Sequence, residues 1–480
     1  MPERLVIIGG GVGGLTAALA FGRAGHPVTV LERDPLPPTA DAEEAFVAER
    51  RGAPQVHQTH GFLARLQVTL RERFPDVLAD LLAAGGSTLP MTRHLGPAQP
   101  GDEDLQVIIV RRTTLEWVLR KAVLAQPHVE VRTDVAATGL VAGATAADGT
   151  PVVTGVLLDD GTTVDAEIVI ASTGRRGDVP GWLAELGVVV PETVHESGLM
   201  YLTRWYRTPD VDVPTDAKLG GDLGFVKFLG IPGDGGTLSI TLAVRTDDRD
   251  LRAALSDPDR FDRACQLLPG PDLFFQDGPM EPIGAVRPMT GLLNRLRRFT
   301  DAAGAPTVLG FHAIGDCHTT TNPLYGRGCS LAAVQATLLA DAAVDHPGDP
   351  AGRAAAYELA CAREVEPWYE ASVQMDRMGA DPSGRGLAGG GGEAGSTDAA
   401  KAMGALFAAA ATDPVLGRAM ARLMNLLTLP ADLMADPAVL ARAAEVMAHP
   451  DDFPTVAPDG PTRAALLDAL AVAPAAVPTA

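Results

Sequence analysis

The chain has 480 residues, 46% of them hydrophobic, enough for a large core and for two or three domains. Its net charge of −21 repels nucleic acid and anionic membranes and points to small-molecule partners. No run of about eighteen apolar residues offers a membrane span, and no signal peptide is evident; the scattered cysteines Cys265, Cys317, Cys329 and Cys361 suit a reducing cytoplasm better than a disulfide framework.

Residues 4–14 read as a short strand running into Gly9-Gly10-Gly11-Val12-Gly13-Gly14. The spacing predicts a helix over 12–25, then a strand ending in Glu32 and Arg33. Strand, glycine turn, helix, strand, acid is the dinucleotide-binding fingerprint. In that pattern Gly9 makes the tight turn and Gly11 lets the backbone approach a pyrophosphate. Gly14 seats the helix on the sheet, and Glu32 accepts from a ribose diol.

Residues 43–59 read as loop and 61–84 as helix, with Leu63, Leu66, Leu70 and Phe74 on one side. A buried strand is expected at 106–110, followed by a helix capped by Thr113 or Thr114. Further strands fit 129–132, 152–158 and 164–170, the last two joined at the turn pair Asp160-Gly161. From about Met200 the pattern becomes β-rich, with strands at 200–206, 225–229 and 238–244. On the first of these Arg204 and Tyr206 share a face, and with Phe225 they read equally well as pocket lining or as sheet packing. A strand at 308–314 and a helix at 330–343 complete this part. The glycine-rich stretch around Gly389–Gly392 reads as a loop or linker, and 399–480 as proline-broken helices that pack on the core.

A second motif runs from Ile314-Gly315-Asp316 through Asn322-Pro323-Leu324-Tyr325-Gly326-Arg327-Gly328. A strand ends in Gly-Asp, a proline-glycine loop follows, and a helix starts. Such a loop presents backbone N–H groups and a helix N-terminus to a flat, electron-rich ring.

Together the two motifs resemble the FAD-dependent monooxygenases of the para-hydroxybenzoate hydroxylase fold. The resemblance covers residues 1 to about 375 and is looser, but nearest, to bacterial tailoring oxygenases and epoxidases. It implies FAD as cofactor, with Asp316 on the ribityl chain and Pro323, Gly326 and Gly328 against the flavin. It also implies that Arg51 lies in an arginine loop over the cofactor. Arg112 would touch the flavin, and the Val135 amide would meet adenine. His57 is a candidate polar contact near the ring; no third ligand is spaced for a metal beside it and His60. One departure concerns the central Asp-Gly motif: the segment reads Ile170-Ala171-Ser172-Thr173-Gly174, with Ala171 read at the acid's place. This leaves direct use of NADPH or NADH open and points to a separate flavin reductase as a partner.

The implied fold is α/β: a Rossmann-type FAD-binding domain at 1–90, 105–184 and 286–378, interrupted by a sheet-domain segment at 91–104 and an antiparallel β-sheet substrate domain at 185–285. A linker at 379–398 and a helical region at 399–480 follow. The implied activity is insertion of oxygen from dioxygen into a hydrophobic small organic substrate in secondary metabolism. Another flavin oxidoreductase, or a non-redox cyclase on the same scaffold, is the alternative.

Overall fold

The computed structural model describes residues 2–208, 220–276, 278–379, 398–454 and 459–470. The expected linker at 379–398 lies outside them except for its two end residues, which belong to helices Glu366–Gly379 and Asp398–Ala410.

Leu5–Ile8 is the central strand of a five-stranded parallel sheet, flanked by Val28–Glu32 and Ile168–Ala171, with Val129–Thr133 and Phe311–Ala313 at the edges. All four residues of the central strand are buried, because the sheet is covered on both faces. Alternation decides which face each side chain serves. Leu5 and Ile7 pack with the helices Val12–Arg23, Arg112–Leu124 and Gly328–Asp345. Val6 and Ile8 pack with a three-stranded meander, Ala137–Ala142, Val153–Leu158 and Thr163–Asp165.

A second five-stranded sheet runs in the order Gly220–Asp222, Val226–Gly233, Thr237–Arg245, Leu199–Arg207, Glu281–Met289. Its pairings are antiparallel. A smaller sheet of Glu192–Glu196, Leu293–Arg297 and Thr319–Thr320 ties it back to the Gly-Asp loop. This mixed α/β architecture, with helices at the C-terminal end, is the expected fold class.

Several local expectations are corrected. The segment at 43–59 is not all loop: Asp41 accepts from the amides of Glu43 and Glu44 and starts the helix Ala42–Val47. The helix at 61–84 is two, Ala64–Arg73 and Pro75–Ala83, since Pro75 has no N–H to continue the first. The strand at 164–170 is also two, one joining the meander and one the parallel sheet. Neither Thr113 nor Thr114 caps its helix, which begins at Arg112. Residues 91–104 hold no strand. Their carbonyls at Leu95 and Pro97, with Asp102, bind Arg418 of the C-terminal helix Pro414–Met424. Prolines 414, 430 and 437 start helices rather than break them. Among the described residues no helix is long and apolar enough to cross a membrane.

Candidate cofactor site

A crevice opens at the carboxyl ends of the parallel strands, where the strand order reverses around Leu5–Ile8. Gly9 turns there with φ +109°, and a Cβ on it would run into the Ser172 carbonyl. A Cβ on Gly14 would strike the Gly9 carbonyl, which is why the helix can follow so tightly. Gly11 is different: nothing lies within 4 Å of the position its Cβ would take. The helix therefore starts at Val12 with no side-chain cap and its first N–H groups turned to an open face.

Glu32 is 5% exposed at the strand end. Its Oε2 accepts from the Gly10 amide at 2.9 Å, its Oε1 from the Asp34 amide at 2.9 Å. The carboxylate thus braces the glycine turn as well as facing the crevice. Replacing it with alanine removes charge-assisted bonds worth about 1.5–3 kcal/mol. Glu32→Ala is expected to weaken FAD binding by roughly tenfold or more and to lower the melting temperature of the cofactor-free protein. Fluorescence titration and a thermal melt check both; equal affinity in mutant and wild type overturns the assignment.

The arginine loop holds its cation one residue away from the expected position. Arg51 points to solvent, its side chain 89% exposed. Arg50 turns inward instead, binding Asp34 at 3.0 Å, Glu116 at 2.6 Å and Glu32 at 3.3 Å. Asp34 also receives the Gly52 amide at 2.8 Å, which fixes the loop on the strand end. Arg33 is exposed and donates to the Gly52 carbonyl. The Val135 amide donates to the Glu32 carbonyl at 3.1 Å and so is not free for a base. Val135 nevertheless borders an open surface depression with Arg132, Asp134 and Asp160.

The Gly-Asp strand end enters the same crevice. Gly315 has φ +60° and gives its amide to Gln335 Oε1 at 2.7 Å. Among the described residues the Asp316 carboxylate has neither a hydrogen-bond nor an ion-pair partner. Burial pushes it above the usual carboxylate range, opposed by the nearby cations Arg175, Arg112 and Arg295. Arg112 binds Glu116 Oε1 at 3.0 Å and donates to His60 Nε2 at 3.2 Å. Burial works against its charge, but Cys329, Glu116 and Asp316 outweigh it and hold the guanidinium protonated. Gly326 takes φ +67°, whereas Gly328 is the first helical residue with nothing within 4 Å of a Cβ position. Ala171 is fully buried in the sheet and faces no crevice. The residue directly before Gly174 is Thr173, its hydroxyl on Cys317 Sγ at 3.1 Å, so Thr173 and not Ala171 stands where the acid of an Asp-Gly pair belongs.

Both histidines beside the crevice are neutral at pH 7. Burial, with Arg287, lowers His57 to about 4; burial, with Arg112, lowers His60 to about 3. The four cysteines are free thiols. Arg204 and Tyr206 do share a face, but it is the far one: both reach Asp262, and Tyr206 packs with Phe261 and Cys265. Phe225 packs against that same cluster. The near face carries Tyr201, Thr203 and Trp205, which bind Asn322 Oδ1, Gln58 Oε1 and the His57 carbonyl at 3.0, 2.6 and 2.7 Å.

Residues 4–37 match the family model of the FAD binding domain. No curated protein matches the chain. Among solved structures, p-nitrophenol 4-monooxygenase from Pseudomonas putida DLL-E4 is 17% identical, covering 89% of this chain and 98% of its own at a TM-score of 0.62. A probable FAD-dependent monooxygenase from Pseudomonas aeruginosa is 16% identical, covering 79% and 95% at 0.57. A Diels-Alderase in the biosynthetic pathway of pyrroindomycins is 16% identical, covering 89% and 82% at 0.58. The chain is similar to the FAD binding domain over residues 4–37 and has the fold of the FAD-dependent monooxygenases of the para-hydroxybenzoate hydroxylase type.

Proposed function

We propose that the chain is an FAD-dependent monooxygenase that hydroxylates or epoxidises a small hydrophobic organic substrate in secondary metabolism. The observation that carries this is the Asp316 carboxylate, without a hydrogen-bond or ion-pair partner among the described residues and with Arg175, Arg112 and Arg295 near it, together with the open faces of Gly11 and Gly328. An acceptor awaiting hydroxyl donors and two backbone surfaces without side chains fit a flavin dinucleotide. In this reading the amides after Gly11 hold the pyrophosphate, with Gly9 and Gly14 shaping the turn. Glu32 holds the ribose, with Arg50 and Arg33 at the rim. Asp316 accepts from the ribityl hydroxyls, and Gly315, Pro323, Gly326 and Gly328 line the ring.

Bound and reduced, FAD supplies the two electrons that activate dioxygen. The N-terminus of helix Gly328–Asp345 offers fixed dipoles to negative charge at the ring edge, with no reorganisation as that charge develops. The cations Arg112 and Arg175 add to this field. Tyr201, Thr203 and Trp205 form the roof, where they exclude water and orient the substrate. Neutral His57 and His60 serve as hydrogen-bonding groups rather than cations. NADPH or NADH, directly or through a separate flavin reductase, supplies the electrons, and Thr173 in the acid's place favours the reductase route.

The Diels-Alderase neighbour favours one second reading, a non-redox cyclisation with the flavin as a structural part. Turnover under labelled dioxygen separates them. The oxygenase is expected to place the label in product and to stop anaerobically; product formed at full rate without oxygen, on oxidised flavin throughout, replaces it with the cyclase.

A further inference from the structure

The helix Glu366–Gly379 carries one carboxylate into the underside of the flavin-facing loop. Asp376 Oδ1 accepts from Asn322 Nδ2 at 2.8 Å and from the Tyr325 hydroxyl at 2.7 Å. Its Oδ2 accepts from Asn294 Nδ2 at 2.6 Å. Asn294 closes the ring by accepting the Asn322 amide on Oδ1 at 2.7 Å. Asn322 Oδ1 in turn holds the Leu324 amide at 3.1 Å and the Tyr201 hydroxyl at 3.0 Å. Asn294 and Asn322 are fully buried, so the Asn322 amide bond to Asn294 and the Tyr201 bond to Asn322 are made away from water, where an unmade one is costly, while Asp376 itself is half-buried. Three separate pieces of chain meet on this carboxylate: the loop 322–326, the strand Leu293–Arg297 and, through Asn322, the roof strand Leu199–Arg207.

We propose that Asp376 is a positioning residue: it fixes the loop Asn322–Gly326 against Tyr201, and so sets the distance between the ring-facing backbone and the substrate roof. This rests on the proposed oxygenase reading. Asp376 lies beneath the loop, so it acts through Asn322 and Tyr325. A carboxylate suits the place because all three of its side-chain partners donate. An amide there would turn an NH2 toward one of them, donor against donor.

The test compares Asp376→Asn and Asp376→Glu with the wild type. Hydrogen exchange of the 322–328 amides in the cofactor-free protein reads the loop directly, and the FAD reduction potential and the split between kcat and KM read its consequence. Asp376→Asn is expected to speed exchange of those amides about tenfold or more, to lower the reduction potential, and to cut kcat by up to about a hundredfold with KM little changed. Asp376→Glu is expected to restore part of each. Unchanged exchange and potential in a folded Asp376→Asn overturn the proposal. If that variant does not fold, Tyr325→Phe, which removes one donor, is expected to move the same readings in the same direction, and no movement overturns it. A wild type without oxygenase activity defeats the functional reading alone, since the exchange and potential arms do not depend on turnover.

Discussion

Arg111→Met is expected to destabilise the protein by about 3–5 kcal/mol, the cost of breaking a buried ion pair by removing one partner. Arg111 and Asp234 are each 1% exposed. The guanidinium donates to Asp234 Oδ2 through Nε at 3.0 Å and Nη2 at 2.7 Å, and Nη2 also reaches Glu43 at 2.5 Å. The Arg111 amide and the Thr114 hydroxyl bind the same carboxylate. The pair therefore locks the turn between strands Val226–Gly233 and Thr237–Arg245 onto the start of helix Arg112–Leu124, joining roof sheet to nucleotide domain. Methionine preserves much of the volume, but it loses the guanidinium stacked over Phe46 and leaves Asp234 as a buried charge without its cation. Denaturant midpoints check this. Adding Asp234→Asn to Arg111→Met is expected to recover most of the loss, because the uncompensated charge is then gone. A single variant as stable as the wild type shows that the pair contributes nothing net.

The glycine turn, Glu32 and the Gly-Asp strand end were legible because their physics is local. A positive φ, a close backbone approach and a strand-end acid leave marks at fixed spacing: Gly9 turns at φ +109°, a Cβ on Gly14 would strike the Gly9 carbonyl, and Glu32 accepts from the Gly10 amide. What could not be read is where direction depends on partners far along the chain. Strand Leu199–Arg207 is buried from Met200 to Tyr206, so polarity does not alternate and neither face is marked as the near one. Alternation puts Arg204 and Tyr206 on one face, but nothing in the sequence says which way that face looks. Arg50 and Arg51 are adjacent in a stretch without period, and the carboxylates of Asp34, Glu32 and Glu116, 16, 18 and 66 residues away, draw Arg50 inward. The helix Ala42–Val47 did leave a signal, Asp41 followed by Glu43 and Glu44, an N-cap and an acidic first turn. Asp376 left none: its meaning comes from Asn294 and Asn322, 82 and 54 residues away.

Gly328→Val is expected to leave the cofactor-free fold intact and to cut turnover by about a hundredfold, more than it weakens FAD binding. The reason differs from that for Gly326. Gly326 sits at φ +67° with the Gly61 carbonyl 3.3 Å from its Cβ position, so a side chain there strains the loop whatever the site contains. Gly328 has ordinary helical geometry and open space beside it, and valine costs the helix nothing relative to glycine. Any harm from a side chain at 328 must then come from what enters that space when the protein is loaded. In the proposed placement a valine there pushes the ring from the helix amides that would stabilise charge on it, while the proposed pyrophosphate and ribose contacts at Gly11 and Glu32 stay intact and retain most of the affinity. Melting curves without cofactor, FAD titration and single-turnover kinetics separate the three effects. The expected order is an unchanged melt, a modest loss of affinity and a large loss of rate. Gly326→Val, as a control, is expected to lower the melt itself. Wild-type turnover in Gly328→Val shows that the ring does not lie against this helix, and the proposed placement of the flavin falls with it.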